Sequence, residues 1–251
     1  MPIYFGKDKI EGVSVTKHAK EPYIEETYNA NGELTNAVMH GYAKVRGSIF
    51  QDCSNLVSVD IPSGVTGIGS WAFYNCSSLA LTELPSELIS IEQYAFYQCS
   101  SLMWTSLPSG LTSIGNYAFN GCTGLALTEL PSGLTSIGSH AFTSCTSLAL
   151  TSFPSGLTDI PSYMCNGCNS ITNITFPNSI ISVGDRAFNG CSGLTSVIFE
   201  GKPNIIGKYT FYNCPNLTSI SVHWAEGEVA NAPWGAKNAT INYNEKGDVT
   251  I

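Results

Sequence analysis

Apolar residues return along this chain at fixed offsets with one period. Cys53, Cys76, Cys99, Cys122, Cys145, Cys168, Cys191 and Cys214 follow one another at steps of 23 residues, and only Cys165 stands outside the series. Three residues before each cysteine lie Phe50, Phe73, Phe96, Phe119, Phe142, Cys165, Phe188 and Phe211, so Cys165 fills a phenylalanine slot. Eight before lie Val45, Ile68, Ile91, Ile114, Ile137, Ile160, Val183 and Ile206; three after lie Leu56, Leu79, Leu102, Leu125, Leu148, Ile171, Leu194 and Leu217. Pro62, Pro85, Pro108, Pro131, Pro154 and Pro177 keep the same step. A strict period in this range marks one supersecondary unit stacked on copies of itself, because a single short unit cannot bury its own apolar side. The expectation is a β-rich solenoid of about eight coils.

Within a unit, Leu194-Thr195-Ser196-Val197-Ile198-Phe199 has the short alternation of a strand with one buried face. Proline then ends the strand, since it has no N–H for the ladder. Ser-Gly, as in Ser109-Gly110, supplies a turn, and Leu111-Thr112-Ser113-Ile114 makes a second extended piece closed by Gly115. Asn116 to Cys122 is too short for a stable free helix and reads as a 3₁₀ or helical return. Successive strands would stack in parallel roughly 4.8 Å apart, so eight coils span on the order of 40 Å.

The pattern L-x-x-x-x-x-L-P-S-G-L-T-S-I-G-x-x-A-F-x-x-C, carried over residues 41–222, resembles the BspA-like leucine-rich repeats. That resemblance implies a right-handed solenoid-like horseshoe found in bacterial surface proteins that bind host or matrix proteins. It implies no enzyme and no cofactor, and it transfers no binding residue. The start of the chain and the segment Trp224-Ala225-Glu226-Gly227 to Ala232-Pro233-Trp234-Gly235 are also similar to proteins encoded in gut-bacterial prophages.

The ends depart from the repeat, as capping units do. Residues 1–40 hold 10 charged residues; Ile10 to Val15 alternates, and Asn31-Gly32 signals a hairpin, so short strands are expected to cover the first coil. Residues 223–251, with Trp224, Trp234 and the alternating Thr240-Ile241-Asn242-Tyr243, are expected to cover the other end. The amino terminus lacks the basic-then-apolar order of a secretory signal, so a surface location expects a leader already removed, and a virion location is the alternative.

Charge narrows the partners. The chain has 251 residues, a charged fraction of 12% and a net charge of −8, and there is no Lys or Arg between Arg46 and Arg186. A phosphate-tracking surface needs clustered cations, so nucleic acid is excluded as a partner. The absence of an apolar run of 18 residues excludes a membrane-spanning helix. Oligomeric state is not legible.

Candidate chemistry dissolves into the repeat. In-register parallel cysteines do not present the disulfide torsion, and the spacing reads as small buried residues with a weak S–H donor. Cys165-Asn166-Gly167-Cys168 spells C-x-x-C without a second pair to complete a zinc site. Gly67-Ile68-Gly69-Ser70-Trp71-Ala72 fits a dinucleotide fingerprint without the following helix. His18, His40, His140 and His223 lack ligands at metal spacing, and Glu83 and Glu129, two coils apart, stand about 10 Å from each other, too far for paired carboxylate chemistry. No catalytic, cofactor or metal residue is assigned.

Two surface ladders remain as candidate interaction sites. Five residues after the cysteine stand Leu81, Trp104, Leu127 and Leu150; if outward, they form an apolar patch flanked by Glu83, Ser106, Glu129 and Ser152. The alternative is a register change, because Thr82, Thr105, Thr128 and Thr151 occupy the nominally buried offset, and buried threonine needs a partner for its hydroxyl. Five residues before the cysteine stand Trp71, Tyr94, Tyr117, His140 and Tyr163, continued by Arg186 and Tyr209, which either contact a partner or stack between coils. The functional expectation is a non-catalytic scaffold that recognises a protein or glycan, an adhesin-like surface protein; the alternatives are a prophage-particle component or an architectural spacer.

Overall fold

The computed structural model describes residues 22–243, so the alternating stretch Ile10 to Val15 and the last eight residues lie outside it. The chain winds into a parallel β-solenoid of about nine turns at the 23-residue spacing. Its strands in chain order are β1 (Tyr23–Tyr28), β2 (Leu34–His40), β3 (Ser58–Asp60), β4 (Gly67–Ile68), β5 (Ser90–Ile91), β6 (Ser113–Ile114), β7 (Ser136–Ile137), β8 (Asp159–Ile160), β9 (Asn173–Phe176), β10 (Ser182–Val183), β11 (Ser196–Phe199), β12 (Ile205–Ile206), β13 (Ser219–Val222) and β14 (Thr240–Tyr243). β1 and β2 form an antiparallel hairpin, and β2 pairs in parallel with β3. Gly32 takes the left-handed backbone of the hairpin turn, φ 78°, and Asn29 Oδ1 accepts the N–H groups of Asn31 and Glu33.

Two ladders run along the solenoid. The first carries β3 at one end and β9, β11, β13 and β14 at the other. The second joins β4, β5, β6 and β7, then β8, β10 and β12. Its break has a local cause. Gly115 N donates to Ile91 O, Gly138 N to Ile114 O and Gly184 N to Ile160 O, each at 2.7–2.8 Å, but the equivalent residue of the intervening coil is Pro161. Pro161 has no N–H to offer Ile137, and the rung is lost. Glycine at this offset answers to space: a Cβ on Gly138 would lie 2.3 Å from Asn116 N.

The return segments differ from the 3₁₀ or helical turns expected. In the coil of Cys99, Ala95, Tyr97 and Cys99 donate to carbonyls three residues back, while Tyr94, Phe96 and Gln98 donate to Asn116, Ala118 and Asn120 of the next coil at 2.7–2.9 Å. A helix would spend every N–H internally; here every second one bonds the neighbouring coil. Every return but the last, that of Cys214, carries two left-handed residues. One directly precedes each cysteine, from Asp52 (φ 61°) to Asn213 (φ 56°); the other falls on Trp71, Tyr94, Tyr117, His140, Tyr163 and Arg186, φ 55–63°.

Between the ladders lies the core. Phe50, Phe73, Phe96, Phe119 and Phe142 stack at 5.1–5.6 Å and are fully buried. Each contributes about 1.5–3 kcal/mol by leaving water. Beside them the cysteines form a ladder of their own: the thiols of Cys76, Cys99, Cys122 and Cys145 donate to the carbonyls of Phe50, Phe73, Phe96 and Phe119 at 3.0 Å. All nine cysteines are free. At the far end Trp224 and Trp234, both buried, meet Phe199 edge-on at 5.6 and 6.0 Å.

Candidate interaction surface

In the coils of Cys168, Cys191 and Cys214 the strand buries the residues three, six and eight after the cysteine: Ile171, Ile174 and Phe176; Leu194, Val197 and Phe199; Leu217, Ile220 and Val222. The four coils from Cys76 to Cys145 place threonine at the sixth position, and there the chain turns a neighbour inward instead. Trp104, Leu127 and Leu150 are buried and Leu81 is packed half-buried against the core, while Thr82, Thr105, Thr128 and Thr151 are exposed. The apolar patch expected from Leu81, Trp104, Leu127 and Leu150 is therefore core. Trp104 settles both of its characters there, its ring edge-on to Phe96 and Phe119 and its Nε1–H donating to Leu81 O at 2.6 Å.

The shift of one residue has a cost in the backbone. A strand alternates strictly, so moving the inward residue from the sixth to the fifth position while keeping the eighth inward forces a non-extended step. No backbone hydrogen bond involves Thr82–Leu84, Thr105–Leu107 or Thr128–Leu130, and pairing resumes at the bridge of Ser152 with Thr175. Three successive coils thus carry main-chain donors and acceptors with no backbone partner, whereas folded chains pair nearly all such groups unless water or a ligand takes them. A groove of about 290 Å³ opens at this interruption, lined among others by Glu83, Met103, Trp104, Thr105 and Ser106.

Glu83 and Glu129 stand exposed on this face. Met103, 77% exposed, is the most open large apolar side chain among the described residues. Sequence reasoning passed it over, although a signal existed: four after the cysteine the chain runs Val57, Ala80, Met103, Ala126 and Ala149, then Thr172, Thr195 and Thr218. The apolar part of that row coincides with the four register-shifted coils and the one before them.

The aromatic ladder stacks between coils. Trp71–Tyr94, Tyr94–Tyr117, Tyr117–His140 and His140–Tyr163 have ring centroids 4.2–4.7 Å apart and planes within 18°. Arg186 continues the column, its guanidinium between the rings of Tyr163 and Tyr209 at 5.6 and 5.0 Å. Stacking of this kind contributes about 0.5–1.5 kcal/mol per pair. It offsets the strain of the left-handed backbone these residues adopt, on the order of 1–3 kcal/mol each. All of these side chains keep part of their surface in solvent. Burial pushes the His140 imidazole below its usual range, and Thr143 Oγ1 lies 3.3 Å from its Nδ1.

The other sequence candidates are absorbed by the fold. Cys165 and Cys168 are buried, Cys168 donating to Phe142 O and Cys165 O accepting the thiol of Cys191, each at 3.1 Å. Burial raises the Cys99, Cys145, Cys168 and Cys191 thiols well above their usual range and takes Cys76 to about 12. Gly67 and Ile68 form β4 and lead into a turn, not a phosphate-binding helix. Among the described residues no group of three or more His, Cys, Asp or Glu is placed to hold a metal ion, and no helix is long and apolar enough to cross a membrane.

Comparison with known proteins places this geometry. The family model described as "BspA type Leucine rich repeat region" matches residues 24–149 and 112–227, with six copies. No curated protein matches the sequence. Among solved structures, the leucine-rich repeat protein of T. pallidum is 28% identical with a TM-score of 0.54, over 68% of this chain and 87% of its own. A leucine-rich repeat protein from Bacteroides ovatus is 24% identical with a TM-score of 0.48, over 79% and 69%. A leucine-rich cell surface protein from Faecalibacterium prausnitzii is 19% identical with a TM-score of 0.38, over 92% and 96%.

Proposed function

The chain belongs to the BspA-type leucine-rich repeat family, and from that premise we propose that it is a non-catalytic recognition scaffold at a bacterial surface that holds a protein partner on its outward side chains. Membership points to a protein-binding scaffold, and proteins of this family are in general non-catalytic and typically surface-associated. The observation that carries the reading is the contrast between the two sides of each coil. Inward, the phenylalanine, cysteine and leucine ladders repeat almost without change; outward, the row from Val57 through Met103 to Thr218 and the row Glu83, Ser106, Glu129, Ser152 change from coil to coil. A scaffold holds its shape through the first set and is free to carry a partner's imprint in the second.

A protein partner is favoured over a glycan. Sugars stack on open aromatic faces, and the faces of Tyr94, Tyr117 and His140 are each occupied by rings of the coils on either side. The test is an array of extracellular-matrix proteins and glycans probed with the chain and with a variant carrying Glu83→Gln, Met103→Ser and Glu129→Gln. Binding of a matrix protein, lost at least tenfold in the variant, is expected. Retention on glycans alone, or equal binding by the variant, would overturn the reading. Protease treatment of intact producing cells should release fragments of the chain; a chain protected until lysis would contradict the surface location.

A further inference from the structure

The interrupted face is both underpaired and unbalanced in charge. Between Gly47 and Asp185 the chain carries eight carboxylates, Asp52, Asp60, Glu83, Glu87, Glu92, Glu129, Asp159 and Asp185, and no Lys or Arg. Of these, Glu92 is neutralised by Lys44, and Asp185 lies 3.4 Å from Arg186. Glu83 and Glu129 have no ion pair among the described residues, and both stand exposed within the three-residue stretches that lack backbone hydrogen bonds.

We propose that this face, from Thr82 to Leu130, docks an extended Lys- or Arg-bearing segment of the partner protein. The proposal rests on the recognition reading above and specifies its chemistry. Three features converge. The free carbonyls and N–H groups of Thr82–Leu84, Thr105–Leu107 and Thr128–Leu130 can bond an extended backbone or a guanidinium, which offers five donors and no acceptor. Glu83 and Glu129, two coils and so about 10 Å apart, fall between the spacings of successive and alternate outward side chains of an extended strand, roughly 7 and 13 Å, a difference the long, flexible stems of Lys and Arg span. Met103, on the intervening coil, lines the groove with Glu83, an unbranched, adaptable side chain suited to the aliphatic stem of Lys or Arg. A lone carboxylate cluster would attract any cation; the unpaired main chain is what asks for a polypeptide.

The test measures fluorescence anisotropy of two labelled eight-residue peptides, alternating Arg-Thr and alternating Glu-Thr, titrated with the full chain. The basic peptide is expected to bind at least tenfold more tightly than the acidic one and to weaken as salt rises. The double variant Glu83→Gln/Glu129→Gln should weaken it roughly two- to thirtyfold, the range for two exposed charge pairs. Asp159→Asn, which removes a carboxylate held by Ser182 and Thr158 on the second ladder, should change it less than twofold. Equal affinity for both peptides, or equal weakening by Asp159→Asn, would overturn the proposal in favour of a diffuse field. Sedimentation showing that the acidic coils are covered by the Arg186, Lys202, Lys208 and Lys237 end of a second copy would overturn it as well. A matrix protein bound in the array alongside failure of the basic peptide leaves the recognition scaffold standing and removes only this inference.

Discussion

Leu127 and Glu129 sit two residues apart on one coil, and the register shift assigns them opposite roles. Leu127 is fully buried, so Leu127→Ala removes three carbon atoms from a close-packed interior and leaves a cavity in the core. The transfer and cavity contributions together come to about 2–5 kcal/mol, with about 3 kcal/mol a central value. For a chain of this size each kcal/mol moves Tm by about 2–4 °C, so Leu127→Ala should lower Tm by roughly 6–12 °C. Glu129 is exposed, and Glu129→Ala should stay within about 0.5 kcal/mol, or roughly 2 °C. Thr128→Val supplies the third arm. Val197 is buried at the same offset in the coil of Cys191, so in a regular strand the change would stabilise the core, whereas here Thr128 faces solvent and the change should be neutral. Thermal unfolding followed by far-ultraviolet circular dichroism reads all three. A small effect of Leu127→Ala together with a stabilising Thr128→Val would show that the strand keeps its register and refute the reasoning.

Further outcomes follow from other parts of the fold. Thiol titration at pH 8 should find about one reactive cysteine per native chain, Cys53, and nine after denaturation, because the other eight sulfur atoms are shielded in the core and burial raises all of those thiols but Cys214, which the hydrogen bond with Cys191 lowers; rapid reaction of several native thiols would refute the buried ladder. Gly138→Ala should cost about 1–3 kcal/mol by driving a Cβ onto Asn116 N, while Gly133→Ala, with no atom nearer than 3.7 Å, should be neutral or slightly stabilising; chemical denaturation of both variants decides. Burial lowers the His140 pKa below its unfolded value near 6.5, so the unfolded chain binds the extra proton first. The stability this residue contributes is complete above that pH and is lost as pH falls towards the folded value. His140→Tyr should therefore flatten the stability profile just below about pH 6.5, and an unchanged slope would contradict the assignment.

Much of this architecture is legible in the sequence because a solenoid writes its core once per coil. The 23-residue step of the cysteines, with phenylalanine three before and leucine three after, fixes which side chains line the interior, and Asn31-Gly32 marks the hairpin turn. The strand face was legible only as a choice. Thr128 at a buried offset beside Leu127 at an exposed one signals a conflict, and desolvation resolves it, since a leucine gains by burial what a threonine hydroxyl loses. The consequence for the main chain was not legible, because hydrogen bonds follow from backbone direction rather than residue type. The returns were misread as helical for a related reason. Bulky rings such as Tyr94 and Tyr117 rarely adopt left-handed backbone, and only the stack between coils holds them there; Gly121, Gly167 and Gly190 before their cysteines were the available clue.

Amide hydrogen exchange on the free chain tests the interrupted face most directly. The N–H groups of Thr82–Leu84, Thr105–Leu107 and Thr128–Leu130 should exchange fast while those of Val197–Phe199 and Ile220–Val222 are strongly protected, and the basic peptide should slow exchange in the first set alone. Uniform protection along the whole face of the free chain would mean that the ladder is continuous and that no main chain is left there for a partner to bond.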